Sequence, residues 1–306
     1  MRRAPPPLGV GLSCLVGRPS VWEAVRGHVD FLEITPDILC RERITGARRE
    51  MRFVPGLLAD ALAQAGDLPV VVHGVELSIG SAGGWNQAYL DILDRFWALR
   101  PFVWHSEHLG FLLSPGTGPD EQAYIGAPMP LPLTDEALDL IAPRAAALVR
   151  RYPTPFLLEN GVHYFVDLPA DHGRDQVDFL NALTELSGCD LLLDLFNFYC
   201  DAQNQGFDAL AALDRLRLDR VVEIHVAGGV THEGYLLDAH SGEVPAPVWE
   251  LVDHVVARAP RLGGILFEIL DSAVPELGAA GIVRQLERAR ESWSLRPKEV
   301  TTDGPR

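Results

Sequence analysis

The chain has 306 residues, 47% hydrophobic and 22% charged, enough for one large α/β domain or two small ones. No run approaches the roughly 20 apolar residues of a membrane span, and MRRAPPPLGV lacks the apolar core of a signal peptide. The net charge of −16 speaks against a general nucleic-acid binder, and four scattered cysteines (Cys14, Cys40, Cys189, Cys200) without CxxC spacing fit reduced thiols in a cytoplasmic protein.

Along the chain, short β-rich runs alternate with amphipathic stretches. The strand candidates are 8–12, 30–34, 69–73, 102–106, 155–159, 190–194, 221–225 and 264–268. Between them lie helical patterns such as 54–65, 85–99, 134–150, 176–186, 247–259 and 274–288. Runs of Val, Ile, Leu and Phe without clean alternation are what a parallel sheet buried on both faces produces. Eight βα units predict an α/β fold of the (β/α)8 TIM-barrel type; a doubly wound sheet is the alternative, but no GxGxxG follows an early strand. Thr134-Asp-Glu predicts a helix N-terminus, and Pro247 fits a first helical turn. Residues 113–132 (LSPGTGPDEQAYIGAPMPLP) read as a long irregular segment, a lid or substrate loop. Residues 1–292 are expected to form a single catalytic domain, with a disordered tail from 293 to 306.

Chemistry concentrates at the strand ends. His73, His108, Glu159, Asp194, His225 and Glu268 each end, or just follow, successive strands, which in a barrel of this type form the mouth. The stretch VEIHVAGGVTHEGYLLDAH adds Asp238 and His240 from a glycine-containing loop, and residues i and i+2 of an extended segment point to the same side. Each residue alone reads equally well as a satisfied structural polar group; their recurrence at corresponding positions favours a shared site. Four carboxylates converging on one cavity would repel and raise each other's pKa unless cations neutralise them, which points to more than one metal ion. Imidazole and carboxylate without thiolate suit iron, manganese or zinc. His105 competes with His108 for the inward position; His163 and His232 are weaker candidates, and Cys189 and Cys200 read as structural. Asn197 either caps the following turn or lends an amide oxygen to a metal.

With HGVELSIGS, SEHLGF, PMPLPLTDEAL, FLLENGVHYF, LLLDLFNFYCDAQNQGFD, EIHVAGG, DAHSGEVP and LFEI in sequence, the chain resembles the multinuclear non-haem iron-dependent oxidative enzymes, xylose-isomerase-like barrels that modify ribosomally made peptides, among them the oxazolone-forming enzymes of methanobactin biosynthesis and those of the thiaglutamate pathway. The resemblance implies metal ligands at His73, His108, Glu159, Asp194, Asn197, His225, Asp238, His240 and Glu268. It implies two or three irons in mixed Fe2+/Fe3+ states, dioxygen as co-substrate, and oxidation of a precursor-peptide residue, Cys above all, with Asp or Asn as further targets. A separate protein that binds the precursor's leader segment is implied as partner, with no nucleic acid and no membrane. The chain departs from the family pattern at Phe196, where the family usually has a polar residue, often Asn, and at Gly229, where glycine-histidine is more usual than glycine-glycine. The competing readings are a zinc- or manganese-dependent isomerase or endonuclease on a similar barrel, and a non-catalytic metal-binding scaffold.

Overall fold

Eight apolar runs form the strands β1 (Gly9–Ser13), β2 (Phe31–Ile34), β3 (Val70–Gly74), β4 (His105–His108), β5 (Phe156–Glu159), β6 (Asp190–Asp194), β7 (Val221–Val226) and β8 (Gly264–Phe267). They are seen in a computed structural model that describes residues 5–45, 48–115, 122–164 and 168–297. All pairings around the ring are parallel, and the order β1-β8-β7-β6-β5-β4-β3-β2 closes on itself. The expected barrel is therefore the observed fold. Closure satisfies the backbone ladder of every strand, so short strands suffice.

The barrel's floor is apolar. Phe31, Val71, Trp104, Leu157, Leu192, Val222 and Leu266 pack together as a cluster separate from the larger core between strands and helices. Phe31 fills space that two glycines leave open: a Cβ on Gly11 would lie 2.3 Å from its ring, and one on Gly264 2.7 Å. Above this floor the inward residues turn polar, and register sets them side by side. His108 pairs with Glu159, Asp194 with His225, and His73 with Ser106.

Helices cover the outside, started by local signals. Thr134 accepts the Ala137 N–H at the head of Asp135–Arg151, as the sequence predicts, and Pro247 sits in the first turn of Ala246–Val256. Gln176–Ser187 begins with a capping box between Asp175 and Asp178 and ends at the left-handed Gly188. The last helix, Val274–Trp293, is interrupted at Gly278 (φ +66°) and runs one residue past the expected domain end; residues 298–306 of the expected tail lie outside the described residues.

Three hairpins follow strands at the barrel's C-terminal end: Cys40–Thr45 with Arg48–Phe53, Phe111–Pro115 with Gln122–Met129, and Gly229–His232 with Tyr235–Asp238. The second corrects the expectation that 113–132 is irregular. Leu112 and Leu113 are buried, and Ser78 Oγ takes both their N–H groups, so this stretch is anchored strand despite its glycines and prolines; 116–121 lie outside the described residues. The expected strand 102–106 also shifts, to His105–His108. Phe102 packs outward on Trp97 and Tyr152, leaving only single ladder bonds at Val103 and Trp104.

Gly11→Ala should destabilise the fold by roughly 1–3 kcal/mol through overpacking against Phe31. Phe31→Leu in the same chain should recover part of that loss in urea denaturation. Strictly additive losses would show that the ring is not what the glycine accommodates.

Candidate metal centre at the barrel mouth

His73, on β3, has a hydrogen-bond partner on one side only. Its Nδ1 lies 3.0 Å from Ser106 Oγ, whose own hydroxyl donates to Val72 O at 3.2 Å. The hydroxyl proton being committed, Ser106 must accept from Nδ1–H, which leaves Nε2 as the bare nitrogen. Burial holds the imidazole neutral, pushing its pKa down to about 3. The bare Nε2 faces Glu159 Oε2 at 3.3 Å, and His108 Nε2 approaches the same oxygen at 3.1 Å. The His73 ring also lies 5.3 Å from the His225 ring, centroid to centroid.

Asp194 ends β6 and caps the helix Leu195–Gln205. Its Oδ1 accepts the Asn197 N–H at 2.7 Å. Asn160, the residue after Glu159, grips the same point with both ends of its amide. Its Oδ1 accepts the Asp194 N–H and its Nδ2 donates to Asp194 O, each at 2.9 Å, and Asn197 Nδ2 donates to Asn160 O. The cap is thus Asp194, and Asn197 keeps its amide oxygen free.

Asp238 and His240 arrive on the third hairpin. Asp238 ends its second strand directly opposite Gly229, and its N–H donates to Tyr164 Oη at 3.0 Å. His240 has φ +42°, so the pair is not the extended Asp-x-His segment expected; a left-handed residue brings its Nε2 to 3.1 Å from Asp238 Oδ1 and 3.6 Å from Glu268 Oε2. Asn204 locks this hairpin to the helix, exchanging hydrogen bonds with Leu236 N–H and C=O. The two departures from the family pattern meet here: a Cβ on Gly229 would lie 2.6 Å from the buried Phe196 ring and 2.2 Å from Leu237 O.

His225 sits between carboxylates, Nδ1 at 3.0 Å from Glu268 Oε2 and Nε2 at 3.1 Å from Glu33 Oε2. Glu33 is one of the residues the sequence reading missed. A glutamate in the middle of FLEI on a strand buried on both faces was the available signal, and Glu223 in VVEIHV carried the same one. Glu223 accepts the Trp104 indole N–H at 2.7 Å.

Charge burial shapes the site. Burial pushes the Asp194 carboxyl well up, with Asp238 and Glu159 adding to it, and pushes Glu223 up to about 8. Against the same penalty, the His108 imidazolium brings Glu159 down to about 2, while the neutral His73 adds no charge to this balance. Burial disfavours the charged imidazole at His108 and His240, but Glu159 raises the former to about 9, and Glu268 with Asp238 the latter to about 10.

Seven side-chain atoms here are buried without a hydrogen bond: His73 Nε2, Glu159 Oε2, Asp194 Oδ2, Asn197 Oδ1, Glu223 Oε1, Asp238 Oδ1 and His240 Nε2. Buried polar atoms are rarely left so. Among the described residues three groupings of candidate donor atoms, His73/His108/Glu159, Glu159/Asp194/His225/Glu268 and Glu33/Glu223/His225, each fall within 4.8 Å. Metal–ligand bonds of about 2.1 Å separate cis ligands by about 3 Å, so the 3.0–3.6 Å spacings here match donors sharing an ion.

His105 is not part of the assembly. Its Nε2 contacts Glu107 at 2.8 Å on the helix side, and its ring packs on Phe156, Tyr152 and Phe102. His163 is held by Asp201 through its backbone N–H, and His232 is exposed on its hairpin. Cys189 and Cys200 are buried; burial first, then Asp238, pushes the Cys200 thiol up, against a ligand or nucleophile role.

Fold and site together define a closed parallel (β/α)8 barrel with a histidine and carboxylate cluster at its mouth. The chain belongs to the family of RiPP precursor modification enzymes MbnB/TglH/ChrH, which it matches over residues 8–293. It is 36% identical to a UPF0276 protein of Anaeromyxobacter sp. (strain Fw109-5), over 74% of this chain and 75% of that one. With a UPF0276 protein of Caulobacter vibrioides (strain NA1000 / CB15N) it shares 32% identity over 89% of each chain. The D-psicose 3-epimerase of Clostridium cellulolyticum H10 has the same fold, with TM-score 0.53, 12% identity, and coverage of 94% of this chain and 99% of that one. An L-ribulose 3-epimerase gives TM-score 0.53 at 15% identity, covering 94% and 93%.

Asn160→Ala should cost roughly 1–3 kcal/mol, because it leaves the buried N–H of Asp194 unpaired, while the Asp194 C=O keeps the first bond of the helix it caps. Thermal melting of the metal-free protein reads this. A loss near zero would mean that the N–H finds another partner.

Proposed function

We propose that this protein is a multinuclear iron, dioxygen-dependent oxidase that modifies a residue of a ribosomally made precursor peptide, with cysteine as the principal target and aspartate or asparagine as the further ones. One observation carries the reading. Of the seven unpartnered buried atoms at the site, six belong to the nine residues that the family resemblance marks as ligands, and they come from three strands, the helix Leu195–Gln205 and the third hairpin with the turn after it. On this reading His73, His108 and Glu159 hold one ion, and Glu159, Asp194, His225 and Glu268 a second. Asp238 and His240, joined to Glu268, hold a third, with the Asn197 amide oxygen beside Asp194.

Iron bound there would supply electrons to dioxygen and a cationic seat for a peptide thiolate. The chain's own residues do the rest. Ser106 fixes the His73 tautomer so that Nε2 is the donor atom, and Glu33 plays the orienting part for His225. Asn160 holds Asp194 in place, and Tyr164 holds Asp238. The apolar floor beneath the cluster keeps water out from below. We place this chemistry in one catalytic unit spanning residues 1–292, working in the cytoplasm with a separate protein that binds the precursor's leader segment. The four free cysteines fit a reducing compartment. No helix among the described residues is long and apolar enough to cross a membrane.

Protein purified without oxygen should contain iron and consume dioxygen when given the precursor encoded beside it. Zinc or manganese with no dioxygen uptake would support an isomerase-like enzyme instead. Asp238→Ala with His240→Ala should lower iron by about one ion per chain and stop peptide oxidation while the barrel stays folded. Unchanged iron with a lower melting temperature would reduce the pair to a structural turn.

A further inference from the structure

In a chain of net charge −16, the segment CRERITGARREMRF carries five arginines against two glutamates. It forms the hairpin Cys40–Thr45 with Arg48–Phe53, which follows β2 at the mouth of the barrel. Directly paired residues share a face. One face is inward: Met51 is buried, Phe53 lies 6.3 Å from the Phe96 ring, and Arg49 binds Glu42, Glu76 at 3.5 Å and the Tyr124 ring. Glu76 is three residues past His73, so this face is pinned to the rim of the site. The other face is different. Arg41 stands directly opposite Arg52, and Arg43 opposite Glu50.

Like charges directly opposite one another destabilise a hairpin. Arg52 has Glu50 at 3.3 Å, but among the described residues Arg41 and Arg43 have no ion-pair partner. These arginines and Glu50 border a depression of about 340 Å³ that ends at Val54 and Pro55. A local arrangement that costs stability, kept on an exposed face, points to a ligand.

We propose that this face of the hairpin docks an acidic segment of the peptide substrate, with Arg41, Arg43 and Arg52 binding its carboxylates as the target residue reaches the mouth. Screening over about 8 Å confines the attraction to contact range, so a short acidic stretch is drawn in. An extended polyanion such as DNA meets the repulsion of the remaining acidic surface. The inference rests on the peptide-modifying reading but not on the metal.

The test uses the full-length protein and fluorescence anisotropy with three probes: a glutamate-rich peptide, its glutamine counterpart and a short duplex DNA. The wild-type protein should prefer the glutamate peptide, and R41Q/R43Q/R52Q should bind it about tenfold more weakly, with iron content unchanged and a melting temperature no lower than the wild type's. R258Q, on an exposed arginine elsewhere, should bind as the wild type does. Equal binding by the triple variant, equal binding of the glutamine peptide, a matching loss in R258Q, or DNA binding as tight as the peptide's would each overturn the proposal. If the triple variant does not fold, the single variants R41Q and R43Q take its place, with the same outcomes. Iron measured on the same preparations separates this proposal from the metal centre: peptide binding without iron leaves the docking face standing, and iron without peptide binding removes it.

Discussion

Carboxylates taken out of water beside imidazoles set the terms for the rest of this structure. Glu33, Glu159, Asp194, Glu223 and Glu268 converge within the barrel, where an isolated buried charge costs several kcal/mol. Partial compensation comes from His108, His225 and His240, while His73 stays neutral, and it is uneven. Some carboxyls are driven up and others down, and atoms of six of the expected ligands are buried without a hydrogen bond. A core built for stability alone would carry hydrophobic residues there. The apolar floor, the closed ladder and the clamps outside the cluster stabilise an arrangement that is itself unfavourable in the metal-free state.

The clamps show how this is achieved locally. Three of the side chains expected to face the cluster, and the hairpin that carries one of them, are restrained from behind by a neighbour. Ser106 restrains His73, Asn160 restrains Asp194, Tyr164 restrains Asp238, and Asn204 restrains the whole third hairpin. Rigid strands supply eight fixed points, and the hairpins supply the variable part, as in barrels generally.

The barrel was legible in the sequence because strands buried on both faces are nearly pure Val, Leu, Ile and Phe, and their ends carry the exceptions. Seven of the eight strands lie within a residue of where those runs place them. The hairpins were not legible. Cys40–Phe53 alternates charged with apolar residues too irregularly to read as strand, and Phe111–Met129 hides its pairing among glycines and prolines. Glu33 and Glu223 escaped because attention fell on the last residue of each strand, whereas a barrel's interior is filled in layers and the layer below the rim counts equally. Asn160 escaped because its role is to hold a neighbouring backbone, which no spacing rule announces. The left-handed turn at His240 is a tertiary outcome, fixed by where Leu270 N–H meets His240 O.

Gly228 and Gly229 carry a consequence for how this chain varies. A Cβ on Gly228 would lie 2.3 Å from Ser241 O, and one on Gly229 2.2 Å from Leu237 O. Both obstacles are backbone carbonyls, which cannot rotate aside as a side chain can. Every missense change at a glycine codon introduces a Cβ, so single-nucleotide drift has no mild step to take at either position. Phe196 is different: its ring can shrink by ordinary substitution without touching a main chain. A side chain at position 229 therefore needs two changes, a smaller residue than Phe196 on the helix and a shift of the main chain at Leu237, and the first is the one that ordinary substitution can supply.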